Sequence, residues 1–129
     1  MTENPKELPS SPYGDFLGIE MLDYADGKAQ CRIELQPHHL NTGGRVHGGV
    51  LSSLADTCAG VAVRSIRPEG TFTATTDLSV SFIRPPKGTD LLASATVIHQ
   101  GKRLYRVEIV LHSGSKLVAK SNATFMIVG

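Results

Sequence analysis

The apolar positions along the chain change their spacing twice, which divides it into three regions. Between residues 18 and 35 they alternate with polar ones, the period of a half-buried strand. Between 47 and 66 they recur every three or four residues, the period of a helix. From 71 to 128 alternation returns, with short turn sequences between the segments. The pattern predicts two strands, one long helix and four further strands.

The first two strands are predicted to form a hairpin. Gly18–Ala25 is the first, and the Asp26-Gly27 dipeptide that follows is a typical hairpin turn. Pro37 ends the second strand, and residues 36–46 are predicted to be a loop. The apolar face of the second strand consists of Ala29, Cys31, Ile33 and Leu35.

The long helix is predicted over about His47 to Ile66, because Pro68 and Gly70 end the periodic segment. At ~1.5 Å per residue it would be roughly 30 Å long. A helix that is mostly apolar needs apolar surface around most of its circumference. One sheet curling about the helix would supply that surface.

Four strands are predicted after the helix, and the short turns between them indicate antiparallel neighbours. In the first of these strands Thr75 and Asp77 are expected on the polar face. The opposite, apolar parity holds Phe72, Ala74, Leu78, Val80 and Phe82. The predicted segments are Thr71–Arg84, Asp90–Gln100, Arg103–His112 and Lys116–Val128. The fold class is therefore α+β, a long central helix wrapped by a curved antiparallel sheet of about five to six strands.

The 129 residues suit a single domain, and the N-terminal part is polar and rich in proline and serine. We expect residues 1–12 to be a flexible tail and residues 13–129 to be the domain. A net charge of +1 argues against a general nucleic-acid binder. No apolar run approaches the roughly 18 residues of a membrane span, and no signal-peptide pattern is present. Cys31 and Cys58 are predicted to be buried free thiols in a reducing cytosol, so the expected location is cytoplasmic.

The predicted helix begins at His47-Gly48-Gly49 and not at a capping Ser, Thr, Asp or Asn. Glycine has no side chain to cover the first N–H groups of the helix, so another group can approach the backbone there. Such an open N-terminus suits an anion or a polarised oxygen and is a candidate oxyanion hole. Two glycines by themselves favour the simpler interpretation of tight packing or a sharp turn.

Asp56 belongs to a stripe of small and polar residues on the otherwise apolar helix. A carboxylate with room beside it suits a nucleophile or a general base. A solvated carboxylate, or one bonded by a neighbouring serine, is an equally good interpretation of the stripe alone. The stripe consists of Gly49, Ser52, Ser53, Asp56 and Gly60.

Two further groups of polar residues are candidates for binding. Asn41 and His47 lie just before the helix start and could bond a ligand or hold the loop. His38, His39 and His47 match no zinc spacing, so no metal site is predicted. Basic residues at strand ends and turns could hold the phosphates of a nucleotide-bearing ligand. They are Arg64, Arg67, Arg84, Lys87, Lys102 and Arg103.

The motifs His39-Leu40-Asn41, Val46-His47-Gly48-Gly49-Val50 and Leu54-Ala55-Asp56-Thr57, at these intervals, resemble those of the hot-dog-fold acyl-CoA thioesterases. The resemblance is strongest to the phenylacetate-pathway (PaaI-like) and Them2-like branch and covers nearly the whole predicted domain. It implies hydrolysis of acyl-CoA without a further cofactor. It also implies a homodimer at least, commonly a homotetramer, with each active site between two protomers.

The resemblance also implies roles for individual residues. The Gly48 N–H would polarise the thioester carbonyl, and Asp56 of the other protomer would be nucleophile or base. Asn41 and His47 would orient the thioester or the water, and Thr75 would help to position that water. The basic residues expected to face the CoA nucleotide are Arg84, Lys87, Lys102 and Arg103.

Two other functions are compatible with the same residues. A hot-dog enoyl-CoA hydratase or dehydratase would need a histidine paired with an acid, a role open to His47 and Asp56. A non-catalytic acyl-CoA-binding module would keep the cleft without chemistry. Asp56 beside Ser52 and Ser53 argues against the module, because burying a carboxylate is costly for a protein that only binds.

Overall fold

The structure is a computed structural model that describes residues 11–129. None of the helices within that range combines the length and apolarity that a membrane crossing requires. A 3-10 turn, Pro37–His39, lies in the loop before the long helix. The helices and strands are α1 (Pro12–Leu17), β1 (Ile19–Ala25), β2 (Lys28–Glu34), α2 (Gly48–Arg64), β3 (Phe72–Phe82), β4 (Asp90–Gln100), β5 (Leu104–Ser113) and β6 (Lys116–Val128).

The six strands form one antiparallel sheet in the order β1-β2-β4-β5-β6-β3. The predicted hairpin of β1 and β2 is confirmed, and both residues of its Asp26-Gly27 turn have positive φ. Such a turn matches the twist of the flanking strands. The first strand after the long helix, β3, pairs with the last strand, β6, and forms one edge of the sheet. The predicted α+β class and strand number are confirmed.

The long helix α2 packs against the concave face of this sheet and supplies the centre of the core. It contacts all six strands, which explains why so much of its circumference is apolar. One side of α2 stays open: along the polar stripe Gly49 is exposed and the other four residues are half-buried. The buried side of α2 consists of Val50, Leu51, Leu54, Ala55, Cys58, Ala59, Ala62 and Val63.

A short helix, α1, precedes the sheet and was not predicted from the hydrophobic pattern. Ser11 caps it by accepting a hydrogen bond from the Gly14 N–H, Pro12 occupies its first turn, and Gly18 ends it in the left-handed conformation. This combination of Ser, Pro and Gly is a known helix signature, but six residues are too few to show a helical period. The expected flexible tail therefore does not extend to Pro12, and its first ten residues lie outside the described range.

The strand β3 contains an irregularity that overturns the predicted parity. Thr75 pairs with Phe125 and Asp77 with Thr124, so Thr76 is an extra residue, a β-bulge. Side chains before the bulge therefore change face relative to those after it. Thr75 faces the helix, whereas Phe72, predicted on the apolar face, is 68% exposed. Leu78, Val80 and Phe82 stay on the helix side, as predicted.

His39 ties the loop before α2 to the rest of the domain. Its ring is buried, with Nδ1 accepting a hydrogen bond from the Gln36 N–H at 2.9 Å. The proton of the neutral ring therefore lies on Nε2, which donates to the Leu17 carbonyl at the end of α1 at 2.8 Å. The His39 carbonyl in turn accepts from the His47 N–H. One buried side chain thus fixes α1 and the start of α2 relative to each other.

Candidate active site

The start of α2 has one capped and one uncapped N–H group. His47 is the N-cap, and its Nδ1 accepts a hydrogen bond from the Gly49 N–H at 2.8 Å. The expectation that no side chain caps this helix was therefore wrong, because an imidazole nitrogen can take the place of a hydroxyl or carboxyl oxygen. The Gly48 N–H has no hydrogen-bond acceptor within residues 11–129. It remains the one candidate oxyanion donor at this end.

Glycine at 48 and 49 also has a packing reason. A Cβ atom on Gly48 would lie 3.3 Å from Cζ of Phe82 at the end of β3. A Cβ on Gly49 would lie 3.0 Å from Nδ1 of His47, its own capping residue. Both interpretations of the two glycines therefore apply. The glycines permit the close approach of Phe82 and His47, and the Gly48 N–H remains open.

Asn41 organises the loop that leads into the helix. Its Oδ1 accepts hydrogen bonds from the N–H groups of Gly43 and Arg45, at 2.9 and 3.1 Å. The Asn41 N–H also donates to the Arg45 carbonyl. The side-chain oxygen is thus used within the loop, and the Asn41 amide group keeps its two N–H donors for other acceptors.

Asp56 lies half-buried in the middle of α2, on the open side of the helix. Thr75 donates its hydroxyl hydrogen to Asp56 Oδ1 at 2.7 Å, across from β3. Ser52, the neighbouring serine, instead donates to the Gly48 carbonyl at 3.2 Å. The sequence left open whether a serine bonds the carboxylate, and the contact comes from the strand. The second carboxylate oxygen accepts no hydrogen bond from another group within residues 11–129.

The candidate oxyanion donor and the candidate catalytic carboxylate lie far apart within one chain. Gly48 and Asp56 are eight positions apart on the same helix. At ~1.5 Å per residue this is about 12 Å along the axis, too far for both to act on one carbonyl group. Within one chain the candidate residues therefore form two separate groups: Gly48, His47 and Asn41 at the helix start, and Asp56 with Thr75 at its middle.

The predicted basic residues fall into two groups at opposite ends of the sheet. Arg84 follows β3 beside the helix start, where the Ile83 and Arg84 N–H groups bond the Val118 carbonyl. Lys102 and Arg103 lie in the β4–β5 turn, where the Arg103 carbonyl accepts from Ile127 near the other end. One chain therefore does not bring all four residues together.

A cavity of about 520 Å³ beside the helix start contains a basic residue that was not predicted. Arg45, in the Asn41 loop, lines it together with Lys87. Arg84 and Lys87 line an adjoining cavity of about 640 Å³ with Lys116. The sequence analysis missed Arg45 because it stands apart from the other basic residues along the chain. Only the folded loop brings it to Lys87.

A second unpredicted contact reaches the polar stripe from α1. The hydroxyl groups of Tyr13 and Ser53 are 2.8 Å apart. Ser53 precedes Asp56 by less than one helical turn, so Tyr13 and Thr75 approach the same open side of α2 from different elements. Tyr13 was assigned to no element in the sequence because the period of α1 could not be detected.

A family model described as the thioesterase superfamily matches residues 43–120, more than half of the chain. The chain belongs to the thioesterase superfamily. The matched segment runs from the Asn41 loop through α2 and into β6, so it includes both groups of candidate residues except Asn41 itself. The architecture of this thioesterase, one long helix in a six-stranded antiparallel sheet, is the hot-dog fold.

Three relatives show how the thioesterase compares with known proteins. A Halobacterium salinarum protein named as a candidate esterase is 41% identical over 99 residues, covering 73% of this chain and 65% of its own length. Human acyl-coenzyme A thioesterase 13 is 28% identical over 109 residues, covering 82% and 77%. The Escherichia coli PaaI protein, from the phenylacetic acid degradation operon, has a solved structure with a TM-score of 0.85. It is 29% identical, and the similarity covers 92% of this chain and 86% of that one.

The histidines of the thioesterase have separate local roles. His39 uses both ring nitrogens inside its own chain, and His47 uses Nδ1 for the helix cap. His38 packs its ring against Phe16 and His39. Within residues 11–129 no three His, Cys, Asp or Glu side chains are arranged to hold a metal ion.

Proposed function

We propose that this thioesterase hydrolyses acyl-CoA thioesters to the free acid and CoA. The observation that carries the proposal is the Asp56 carboxylate, oriented at 2.7 Å by Thr75 on the open side of an otherwise apolar helix. Relatives named as acyl-CoA thioesterases support the choice of substrate class. In this proposal CoA is part of the substrate, and no other cofactor takes part.

The proposed chemistry begins at the thioester carbonyl, which the Gly48 N–H polarises. Attack on the carbonyl carbon moves negative charge to its oxygen, and a fixed amide at a helix N-terminus stabilises that charge without reorganisation. Loss of one such donor typically costs ~10²–10³ in rate. When the tetrahedral intermediate collapses, the C–S bond breaks and CoA leaves as a thiolate, which then takes up a proton.

Asp56 supplies the attack in one of two ways. As a general base it takes a proton from water, and the resulting hydroxide adds to the carbonyl carbon. As a nucleophile it forms a mixed anhydride with the acyl group, which water then hydrolyses. Both routes need an ionised carboxylate with one free oxygen. The Thr75 hydrogen bond is made to Oδ1, which leaves Oδ2 for the substrate side.

The complete site is proposed to form between two protomers. The separation of about 12 Å between Gly48 and Asp56 along α2 requires the two groups of one site to come from different chains. The edge strand β3, which carries Thr75, has no strand on its outer side within the described residues. Edge strands readily pair with a second copy. We propose a homodimer joined along β3, and pairing of dimers into a homotetramer.

The CoA nucleotide is proposed to lie against the basic residues at the rim of this interface. Arg84, Lys87, Lys102 and Arg103 would meet there only if two chains contribute, because they lie at opposite ends of one sheet. Arg45 joins this proposal, since it lines a cavity with Lys87. Arginine and lysine are the usual partners of phosphate groups.

The geometry favours hydrolysis over hydration of an enoyl-CoA. A hydratase base needs an unprotonated ring nitrogen that faces the substrate. His47 uses Nδ1 to accept from Gly49, so the proton of the neutral ring is on Nε2, the outward nitrogen. His47 can therefore donate a hydrogen bond to the substrate but is not available as its base.

Release of free thiol from a panel of acyl-CoAs tests the proposal. The wild-type protein is expected to release CoA from at least one of acetyl-, butanoyl-, octanoyl-, dodecanoyl- and benzoyl-CoA. Asp56→Asn is expected to lower turnover by ~10²–10⁴, the usual contribution of a general base. The matched control is Asp77→Asn, which makes the same change two positions from Thr75 on the outer face of β3.

Circular dichroism and size-exclusion chromatography should show an unchanged fold and oligomer for both variants. Wild-type turnover by Asp56→Asn would contradict the proposed role of Asp56. Hydration of an enoyl-CoA without thiol release would favour the hydratase, and binding of every acyl-CoA without turnover would favour the binding module.

A further inference from the structure

The Tyr13 side chain joins α1 to the open side of α2. Its hydroxyl lies 2.8 Å from Ser53 Oγ, and the two residues are forty positions apart in the sequence. Ser53 and Asp56 are three positions apart, which is a rise of about 4.5 Å on the same side of the helix. The Tyr13 hydroxyl is therefore held within one helical turn of the carboxylate proposed to act on the thioester.

The helix α1, which carries Tyr13, is anchored at both of its ends. Ser11 caps the first turn of α1, and the Leu17 carbonyl in its last turn accepts a hydrogen bond from His39. His39 is 1% exposed, so this anchor lies in the core. Because its hydroxyl group is bonded to Ser53 and both ends of α1 are anchored, the Tyr13 ring has a fixed position beside α2.

The Tyr13 ring is accessible to a ligand bound on the open side of α2. Tyr13 is 60% exposed although its hydroxyl is bonded to Ser53. Thr75 approaches the same side of α2 from β3. Along this side the helix carries the small and polar residues of the stripe, among them Ser53, Asp56 and Gly60. An acyl group whose carbonyl carbon lies at Asp56 would therefore lie within about one helical turn of the Tyr13 side chain.

We propose that Tyr13 determines the acyl specificity of the enzyme. Its ring bounds the space next to Asp56 and limits the size of the acyl group that can lie there, and its hydrogen bond with Ser53 keeps it in place. This inference rests on the proposed acyl-CoA hydrolysis and names the residue that selects among acyl groups. It concerns positioning and size, since the Tyr13 hydroxyl takes part in no bond that forms or breaks.

The test compares kcat/KM for butanoyl-CoA and dodecanoyl-CoA in three variants. Tyr13→Ala removes the ring and should raise the dodecanoyl-to-butanoyl ratio by about 10-fold or more, since a change in pocket size of one methylene already discriminates by about 10-fold. Tyr13→Phe keeps the ring but loses the hydrogen bond with Ser53, so it should shift the ratio in the same direction as Tyr13→Ala and by a smaller factor. Phe16→Ala is the matched control, because Phe16 is the other exposed aromatic residue of α1 and its ring packs on His38.

Tyr13→Trp is the opposite test, because a larger ring should lower the same ratio. It also keeps the inference testable if Tyr13→Ala changes the oligomeric state, which size-exclusion chromatography would detect. Equal ratios in the wild type, Tyr13→Ala and Tyr13→Trp would overturn the inference. A shift of equal size in Phe16→Ala would overturn it as well, since the effect would then belong to α1 in general.

The two proposals can fail separately. If the wild-type protein releases no thiol from any acyl-CoA, the proposed function fails. If the wild type is active and substitution of Tyr13 leaves the dodecanoyl-to-butanoyl ratio unchanged, only the inference about Tyr13 fails.

Discussion

Thr75 donates a hydrogen bond of 2.7 Å to Asp56, and it does so because a bulge at Thr76 turns it towards the helix. Without the extra residue, strict alternation from Leu78 would place Thr75 on the outer face of β3. Bulges often re-aim a side chain beside an active site. The orientation of the candidate catalytic carboxylate thus depends on one irregular backbone position.

The Thr75 hydroxyl is expected to contribute to catalysis through Asp56. Thr75→Val keeps the shape and removes the hydrogen bond, whereas Thr75→Ser keeps the hydroxyl. A hydrogen bond to a charged group is worth about 1.5–3 kcal/mol, so Thr75→Val should lower kcat by about 10-fold to 100-fold. Thr75→Ser should retain most of the activity. If Thr75→Val keeps wild-type activity while Thr75→Ser loses it, the methyl group and not the hydroxyl is what matters.

The Gly48 N–H can be removed without disturbing the helix. Proline is well tolerated at the first helical position, and His47 already has the extended conformation that precedes proline, with φ −64° and ψ 134°. Gly48→Pro should lower kcat by about 10²–10³ relative to Gly48→Ala. The alanine variant places the same Cβ atom 3.3 Å from the Phe82 ring but keeps the N–H. Equal activity of the two variants would show that this amide is not the oxyanion donor.

Mixing two inactive variants tests whether each site is shared between chains. When Asp56→Asn and Gly48→Pro protomers are unfolded together and refolded, a mixed dimer contains one site with both residues intact. We expect thiol release to reappear in the mixture, at most at half the wild-type level per mixed dimer. If each site lies within one chain, every site in the mixture contains one of the two substitutions and no activity returns. Refolded single variants serve as the controls.

His47 has a structural role that can be separated from any contact with substrate. His47→Ala removes the cap on the Gly49 N–H and should lower the free energy of unfolding by about 1 kcal/mol. His47→Asn supplies another good N-cap and should restore stability. Activity measured beside urea unfolding then separates the two roles. If Asn restores stability but not turnover, the outward Nε2–H acts on the substrate; if Asn restores both, His47 only caps the helix.

The buried thiols should make the fold sensitive to alkaline pH. Cys31 and Cys58 are both free and buried, as predicted. The hydrogen bond with Cys58 and burial both raise the pKa of the Cys31 thiol far above its ordinary range. The folded chain then keeps a proton that the unfolded chain loses, so stability is complete below the ordinary thiol pKa and falls as the pH rises above it.

The expected slope is about 1.4 kcal/mol per pH unit for one thiol, above pH about 8.5. Urea unfolding between neutral pH and pH 10 measures it in the wild type and in Cys31→Ala. The variant should be less stable at neutral pH, because it leaves a small cavity, but its stability should fall less steeply. An identical slope in both proteins would contradict the assignment to Cys31.

The long-range pattern predicted the fold well because each element is longer than its own period. The bounds of β4 and β6 agree with the prediction, and α2 begins and ends within two residues of it. The hydrophobic pattern failed where an element is short or irregular. Six residues of α1 show no period, and the bulge at Thr76 leaves no mark in the alternation, since the apolar Ala74 and Leu78 have the same parity in the sequence although they lie on opposite faces.

The amino-acid order determined the architecture and the candidate groups of this protein: an apolar helix that must be wrapped, a sheet to wrap it, a glycine start and a carboxylate in the middle. These follow from periodicity and residue chemistry, which are local properties. Tertiary structure decided which groups meet. It brought Thr75 to Asp56 and Tyr13 to Ser53, gave the Gly49 N–H to His47, and separated Gly48 from Asp56. Such contacts depend on where distant elements pack, and no local pattern encodes them.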